Sequence, residues 1–340
     1  MHDELISVLM PVLNEEASVL GAIRSALSQE RVNVEVLVID GRSSDRTRAV
    51  VQELAAQEPR VRLLDNPKVI IPAALNVGLA AARGQYVARI DGHASVSSDY
   101  LARALEHLRA DAQLAAVGGI REGVGRTPTG RAVALALSSP FGVGDSVNHF
   151  GTEFCLTDHA SFGVYRAEVA RAVNGWDENL LVNEDVDFDH RILGLGHHIA
   201  FDPAMHIYWH VRESVPDLFR QYRRYGRGKA GMVRKNGRAA IRARHLAAPV
   251  AVVGTAALAL GSVKFPRLAA AAYSPYLFGV GAATAKAVRE DTSGERLNVA
   301  ALPGAFAAMH YGWGLGFLEG ILLGRTPARA SGSGQSLPNG

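Results

Sequence analysis

Gln85-Tyr-Val-Ala-Arg-Ile-Asp-Gly-His93 is the stretch on which the reading of the fold turns. Tyr86, Val87 and Ile90 favour a pleated, half-buried strand that carries the chain to Asp91. Gly92 then lets the backbone bend so that Asp91 and His93 face one point. A carboxylate oxygen and an imidazole nitrogen two residues apart at a strand end suit a divalent metal, Mn²⁺ readily and Mg²⁺ tolerably. Taken alone, Asp-Gly-His is more often just a strand ending in a polar turn, because short motifs recur by accident. The neighbouring chain decides between the two.

Upstream, residues 5–10 read as a short apolar strand that Pro11-Val-Leu-Asn-Glu-Glu16 breaks before a helical spacing of Val19, Leu20, Ile23 and Leu27. Residues 34–39 form a second buried strand ending in Asp40-Gly-Arg-Ser-Ser-Asp-Arg-Thr47, where Ser44 or Asp45 caps the next helix. A third strand at 61–64 and an Ala- and Leu-rich helix at 72–82 lead into the strand of Asp91. Downstream the pattern predicts a helix at 100–109, a strand at 115–119, and a Gly-, Ser- and Pro-rich mobile loop or set of short helices at 127–148. A strand at 160–165, a helix at 167–173 and a turn at 174–178 follow. A helix then opens at Asn183-Glu-Asp185 and runs through Val186, Phe188 and Ile192, with both acids in its first turn. Such alternation predicts an α/β fold with a doubly wound, mixed but mostly parallel sheet, and ligand sites at the carboxyl ends of its strands.

At 340 residues the chain is long enough for about two domains. The net charge of +3 does not call for nucleic acid as a partner. Charge is concentrated at 212–244, where eleven Lys and Arg stand against Glu213 and Asp217. A single cysteine, Cys155, excludes an intramolecular disulfide and a cysteine-cluster metal site. The acidic start Met-His-Asp-Glu-Leu5 leads straight into a strand, so no signal peptide is expected and the catalytic part should stay cytoplasmic.

Taken together, Pro11-Val-Leu-Asn-Glu-Glu16, Val38-Ile-Asp-Gly-Arg-Ser-Ser-Asp-Arg-Thr47, Ala74-Leu-Asn-Val-Gly78, Arg89-Ile-Asp-Gly-His93, Gly175-Trp-Asp-Glu178 and Glu184-Asp185 resemble the family-2 glycosyltransferases. These have the GT-A fold and transfer sugar from a nucleotide-diphosphate donor. Asp91-Gly-His93 and Gln221-Tyr-Arg-Arg-Tyr-Gly226 look most like the branch that builds exopolysaccharides such as succinoglycan on a lipid carrier. The sequence departs from the family at three places. His93 stands where the metal motif usually has Asp, Gly41-Arg42 replaces the usual Asp-Gly, and Tyr225 replaces the Trp of the processive-synthase signature.

The resemblance implies roles residue by residue. Asp91 and His93 would hold Mn²⁺ or Mg²⁺ against the leaving diphosphate, with the donor completing the site. Asp185 matches the base position, Glu184 being its rival. Since adjacent helical residues diverge by about 100°, only one of the two faces the acceptor. Asp40 would accept an imide N–H, suiting uracil. Pro11, Asn14 and Glu15 would line the nucleotide side, and Asn76 either binds the pyrophosphate or ties down a turn. Arg42 faces the donor or solvent. Trp176 stacks on an acceptor sugar or belongs to the core. Either His206 or His210 completes the metal shell or is merely structural. Gln221, Arg224 and Tyr225 would clamp acceptor or phosphate, unless this basic segment is a membrane-facing surface.

Residues 246–263, 268–285 and 298–318 are charge-poor and near the ~18–20 residues needed to cross a bilayer, and the basic run before them fits the positive-inside rule. The expected organisation is a catalytic domain at 1–230, a basic linker at 231–245, a hydrophobic helical membrane region of two or three segments at 246–325, and a disordered tail at 326–340. The expected activity is inverting transfer from a UDP-hexose to a lipid-linked saccharide. A non-catalytic membrane subunit of the same fold is the alternative. A dinucleotide-dependent oxidoreductase is disfavoured because no Gly-x-Gly-x-x-Gly follows the first strand.

Overall fold

Period-two burial makes Leu5–Val12 a central strand, β1: Ile6, Val8 and Met10 face one apolar layer and Leu9 the other. The computed structural model of the chain describes residues 4–237, 241 and 244–324. After β1 come α1 (Val19–Leu27), β2 (Asn33–Asp40), α2 (Thr47–Ala55), β3 (Val61–Asp65), α3 (Ile71–Ala81), β4 (Tyr86–Arg89), β5 (Ala94–Val96), α4 (Tyr100–Ala110) and β6 (Leu114–Val124). Next are α5 (Pro128–Leu137), α6 (Pro140–Val143), β7 (Cys155–Thr157), β8 (Val164–Arg166), α7 (Ala167–Ala172), α8 (Glu184–Gly194) and β9 (His198–His210). The chain continues through α9 (Val215–Asn236), α10 (Arg244–Gly261), α11 (Pro266–Glu290) and α12 (Ala301–Leu323).

Two compact units result. The first comprises the chain up to Glu122 together with Gly151–Trp209. Its sheet runs β3-β2-β1-β4-β8-β6-β9-β5, with β7 beside β9. Helices α1 and α4 cover one face, while α3, α7 and α8 cover the other. Strands β3, β2, β1 and β4 are parallel. Strand β8 returns antiparallel to β4 and β6, and β5 and β7 lie antiparallel to β9. The expectation of a mostly parallel sheet therefore holds for one half. In the other half β8 inserts between β4 and β6 and runs opposite to both, which makes the pairing there antiparallel. Pairing of Val12 with Asp40 and of Leu9 with Arg89 brings the loops after β1, β2 and β4 to one edge. That register positions the site.

The second unit is helical. It takes Gly123–Phe150 from the middle of the chain and begins again at His210, well before the expected linker. The stretch at 127–148, expected to be a mobile loop or short helices, holds the helices α5, whose Thr127 accepts from the Gly130 N–H, and α6. Helix α12 lies directly on α9. A Cβ at Gly316 would sit 1.9 Å from the Arg223 carbonyl oxygen, and one at Gly312 2.8 Å from that of Phe219. Glu319 of α12 receives the Arg223 Nε at 2.9 Å and the Arg227 Nε at 2.6 Å, and Lys229 is buried. Part of the basic run thus bonds within this unit, although the Arg223 and Arg227 side chains stay partly exposed.

Residues 246–263, 268–285 and 298–318 fall largely in α10, α11 and α12, yet among the described residues no helix is long and apolar enough to cross a membrane. The spanning segments expected there are not found. Glycine, alanine and polar residues such as His310, Tyr311 and Glu319 dilute the apolar content below what insertion demands. The tail expected at 326–340 lies outside the described residues.

Candidate functional site

At the shared edge of the sheet, Asn14 adopts a left-handed conformation (φ 57°), and its side-chain oxygen accepts the Ser44 N–H at 2.8 Å. Its own N–H donates to Ser43 Oγ at 2.9 Å. Asn14, expected to line the nucleotide side, therefore also ties down the loop after β2. Asp40, buried at the end of β2, accepts the Ser43 N–H and lies 3.6 Å from Arg48. Asp45 accepts the Thr47 N–H at 2.9 Å, so it orders the start of α2 and leaves Asp40 outside that capping role. Pro11 pairs opposite Ile39 within β1, and Arg42 is exposed in a left-handed conformation.

Beyond β4, the Arg89 guanidinium grips Asp91 with Nε at 2.9 Å and Nη2 at 3.3 Å, and reaches Glu184 with Nη1 at 3.1 Å. Burial would push the Asp91 carboxyl up, but Arg89 and then His93 and Arg121 outweigh it and hold it below its ordinary value. His93 Nδ1 lies 3.0 Å from Glu15 Oε1, while Glu15 Oε2 accepts from Ser18 Oγ at 2.7 Å. Glu15, expected beside the nucleotide, thus orients the imidazole. A carboxylate on one ring nitrogen presents the other nitrogen to a metal, the usual arrangement behind a metal-bound histidine. Among the described residues no three His, Cys, Asp or Glu gather as a complete metal cage. Asp91, held below its ordinary value, and His93, oriented by Glu15, are the two groups here whose chemistry would suit a divalent ion.

Glu184 and Asp185 open α8 and differ in setting. The Glu184 side chain is 8% exposed and that of Asp185 35%, so Asp185 is the acid open to an incoming group. Burial, reinforced by Asp185 and opposed by Arg89, pushes Glu184 up to about 7. Burial also acts to raise Asp185, but His159, then Arg89, the Val186 N–H and Arg121 pull it below its ordinary value. His159 Nε2 stands 3.8 Å from Asp185, with Nδ1 2.7 Å from the fully buried Asp189. Arg121 lies over the Trp209 ring at 4.5 Å, and its Nε finds no hydrogen-bond partner among the described residues. Sequence reasoning missed His159, Asp189 and Arg121. Only Asp189 left a signal, being four residues after Asp185 on one helix face.

Trp176 is corrected. Its ring is buried, stacked on Phe188 with centroids 4.1 Å apart and edge-on to Tyr165, so no face is offered to a sugar. Asn76 explains how the turn is held: its oxygen accepts the Trp176 N–H at 2.8 Å and its amide donates to the Trp176 carbonyl at 2.8 Å. Gly175 has φ 64°, and a Cβ there would sit 2.3 Å from the Asn76 oxygen. Both polar atoms of Asn76 serve the turn, the second of the two roles open to it.

His206 pairs with Glu122 in the first unit, and His210 with Arg126 in the second. Gln221, Arg224 and Tyr225 lie on α9 of the second unit. There Gln221 donates to the Tyr225 hydroxyl at 2.8 Å. The buried Gln221 Oε1 and Arg212 Nη2 find no partner among the described residues. The site residues that do come together are therefore Asp91, His93 through Glu15, Glu184 and Asp185.

Residues 7–172 match the family model "Glycosyl transferase family 2". The chain is 34% identical over 235 residues to the succinoglycan biosynthesis protein ExoA of Rhizobium meliloti (strain 1021), covering 67% of this chain and 71% of the relative. It is 24% identical over 239 residues to a dolichyl N-acetyl-glucosaminyl phosphate glucuronosyltransferase of Methanococcus voltae, covering 68% of this chain and 74% of that protein. Among solved structures, the mannosyltransferase PcManGT from Pyrobaculum calidifontis, in complex with GDP-Man and Mn²⁺, superposes with a TM-score of 0.64 at 20% identity, over 95% of this chain and 89% of that one.

Proposed function

Because the chain belongs to glycosyl transferase family 2 and has an α/β fold of the GT-A kind, we propose that it is an inverting glycosyltransferase that moves a hexose from UDP to a lipid-linked saccharide in exopolysaccharide synthesis. One observation carries the reading. Arg89 binds Asp91 beside it and Glu184 95 residues away, so the metal-type motif and the base-type motif meet at one cation.

The acceptor hydroxyl attacks the anomeric carbon while Asp185 takes its proton, and the bond to the diphosphate breaks with its electron pair kept by the phosphate. A single displacement inverts the anomeric centre. Asp91 and His93 would hold Mn²⁺ or Mg²⁺, which neutralises charge on the departing diphosphate when bound. Asp40 receives an N–H of the base. Arg121 adds positive charge on the side of Asp91 and Asp185. Gln221, Arg224 and Tyr225 are proposed to contact the acceptor or its phosphate.

Attachment to the cytoplasmic face of the cell membrane is part of the proposal, in a revised form. Val250, Leu260, Val263, Phe265, Leu268 and Phe278 of the helical unit are exposed, and Lys264 and Arg267 lie among them. Such a surface suits burial in the lipid interface without crossing it.

Thermal stabilisation of the full-length protein by UDP- and GDP-sugars, with and without Mn²⁺, tests the donor and the metal together. A ligand at about 100 times its Kd adds about 2.7 kcal/mol, a shift readily measured. The expected result is a UDP-hexose shift that requires metal and is lost in Asp91→Ala. A metal-independent shift, or one that survives Asp91→Ala, would overturn the metal assignment. Flotation with vesicles containing anionic lipid tests attachment; protein left at the bottom of the gradient would reject it.

A further inference from the structure

Neighbouring acids at the start of one buried helix turn cannot both be ionised cheaply, so something must divide the charge between Glu184 and Asp185. On one side the Arg89 guanidinium serves Glu184 but is shared with Asp91. On the other side stands His159, held at both ends. Its Nδ1 lies 2.7 Å from Asp189 Oδ2 and its Nε2 3.8 Å from Asp185 Oδ2. Asp189 is fully buried, accepts the Ala160 N–H at 2.8 Å through the same oxygen, and lies four residues after Asp185 on α8. One helix face therefore presents both acids to one ring.

We propose that His159, anchored by Asp189, is a positioning residue that makes Asp185, and not Glu184, the ionised carboxylate facing the acceptor. This rests on the reading of Asp185 as the base. The groups acting on the ring are Asp189, Asp185 and Asp158, and the Tyr165 hydroxyl also faces Asp189. Burial opposes a charged imidazole, but these three acids outweigh it and raise His159 above its ordinary value. A ring whose charged form is favoured in this way stabilises the Asp185 carboxylate, as Arg89 and Arg121 also do. An ionised base can accept the acceptor's proton; a neutral one cannot. Two carboxylates in one turn thus acquire different protonation states from their surroundings. With Asp189 on its Nδ1 and Asp185 facing its Nε2, His159 holds Asp185 in place, and the acceptor's proton rests on Asp185 until the product leaves.

The test is a pH titration by NMR of the full-length protein labelled in its imidazole and carboxyl carbons, without substrate. His159→Asn and Asp185→Asn identify the two resonances. The expected result is a His159 midpoint above the ordinary value of about 6.5, and an Asp185 midpoint that rises by about one unit or more in His159→Asn. In Asp189→Asn the His159 midpoint should fall. An unmoved Asp185 midpoint in a His159→Asn protein of native melting temperature would overturn the proposal. If that variant does not fold, the native ring decides alone, and a midpoint at or below about 6.5 overturns it equally. Full transfer activity in Asp185→Asn would instead overturn the base assignment while leaving the titration result standing.

Discussion

Replacing Trp176 by alanine separates a core residue from a sugar-stacking one. The indole is 3% exposed, stacked on Phe188 and edge-on to Tyr165, so truncation removes nearly its whole buried surface. Buried aromatic rings remove about 150–250 Å² from water, and truncations of this kind cost about 3–5 kcal/mol. The hydrogen bonds between Asn76 and the Trp176 backbone survive the change, so about 4 kcal/mol is expected from the side chain alone. At about 2–4 °C per kcal/mol for a unit of this size, the melting temperature should fall by about 8–16 °C. Circular dichroism of the full-length protein measures it. Trp176→Phe should recover roughly half of the loss, since it keeps a ring against Phe188. A Trp176→Ala protein that melts like the parent but loses only acceptor use would refute the core placement.

Glu184 gives stability a pH dependence of definite sign. From about 4.5 to about 7 the folded chain keeps a proton that the unfolded chain has released, so stability falls as pH rises through that window. Glu184→Gln cannot ionise, so its melting temperature relative to the parent should improve on going from pH 5 to pH 8; an unchanged difference would show that Glu184 is not buried neutral. In the helical unit, Gly316→Val puts carbon into the Arg223 carbonyl and should cost about 1–3 kcal/mol in thermal denaturation. Gly254→Ala, with nothing within 4 Å of its Cβ, should instead stabilise α10 by about 0.5–1 kcal/mol, and equal effects of the two would contradict the packing of α12 on α9.

The parallel half of the sheet is legible because β1, β2 and β4 are apolar runs that end in polar loops, and their common direction brings Asp40, Asp91 and the Asn14 loop to one edge. Strands β5 and β7 are only three residues long and exist because β9 offers them a partner, which no local pattern reveals. The acids Asp91, Glu184 and Asp185 stand out as motifs, whereas Arg89, His159 and Asp189 act on them through long-range pairing. Trp176 illustrates the same limit: a Trp in a Gly-containing turn has no local mark that tells core from surface, and Phe188 decides it. Helices α10 to α12 were read from the lack of charge, but the glycines of α12 mark a seam against α9 and α10.

Single-turnover transfer by the full-length protein, from the donor selected by thermal stabilisation, shows whether Asp185 is the base of the sugar transfer. Asp185→Asn keeps the size of the side chain and removes the proton acceptor. Donor binding should persist while transfer falls by about 10²-fold or more, and Glu184→Gln should lose less. Transfer by Asp185→Asn at the parent rate, or a larger loss from Glu184→Gln alone, would contradict the account.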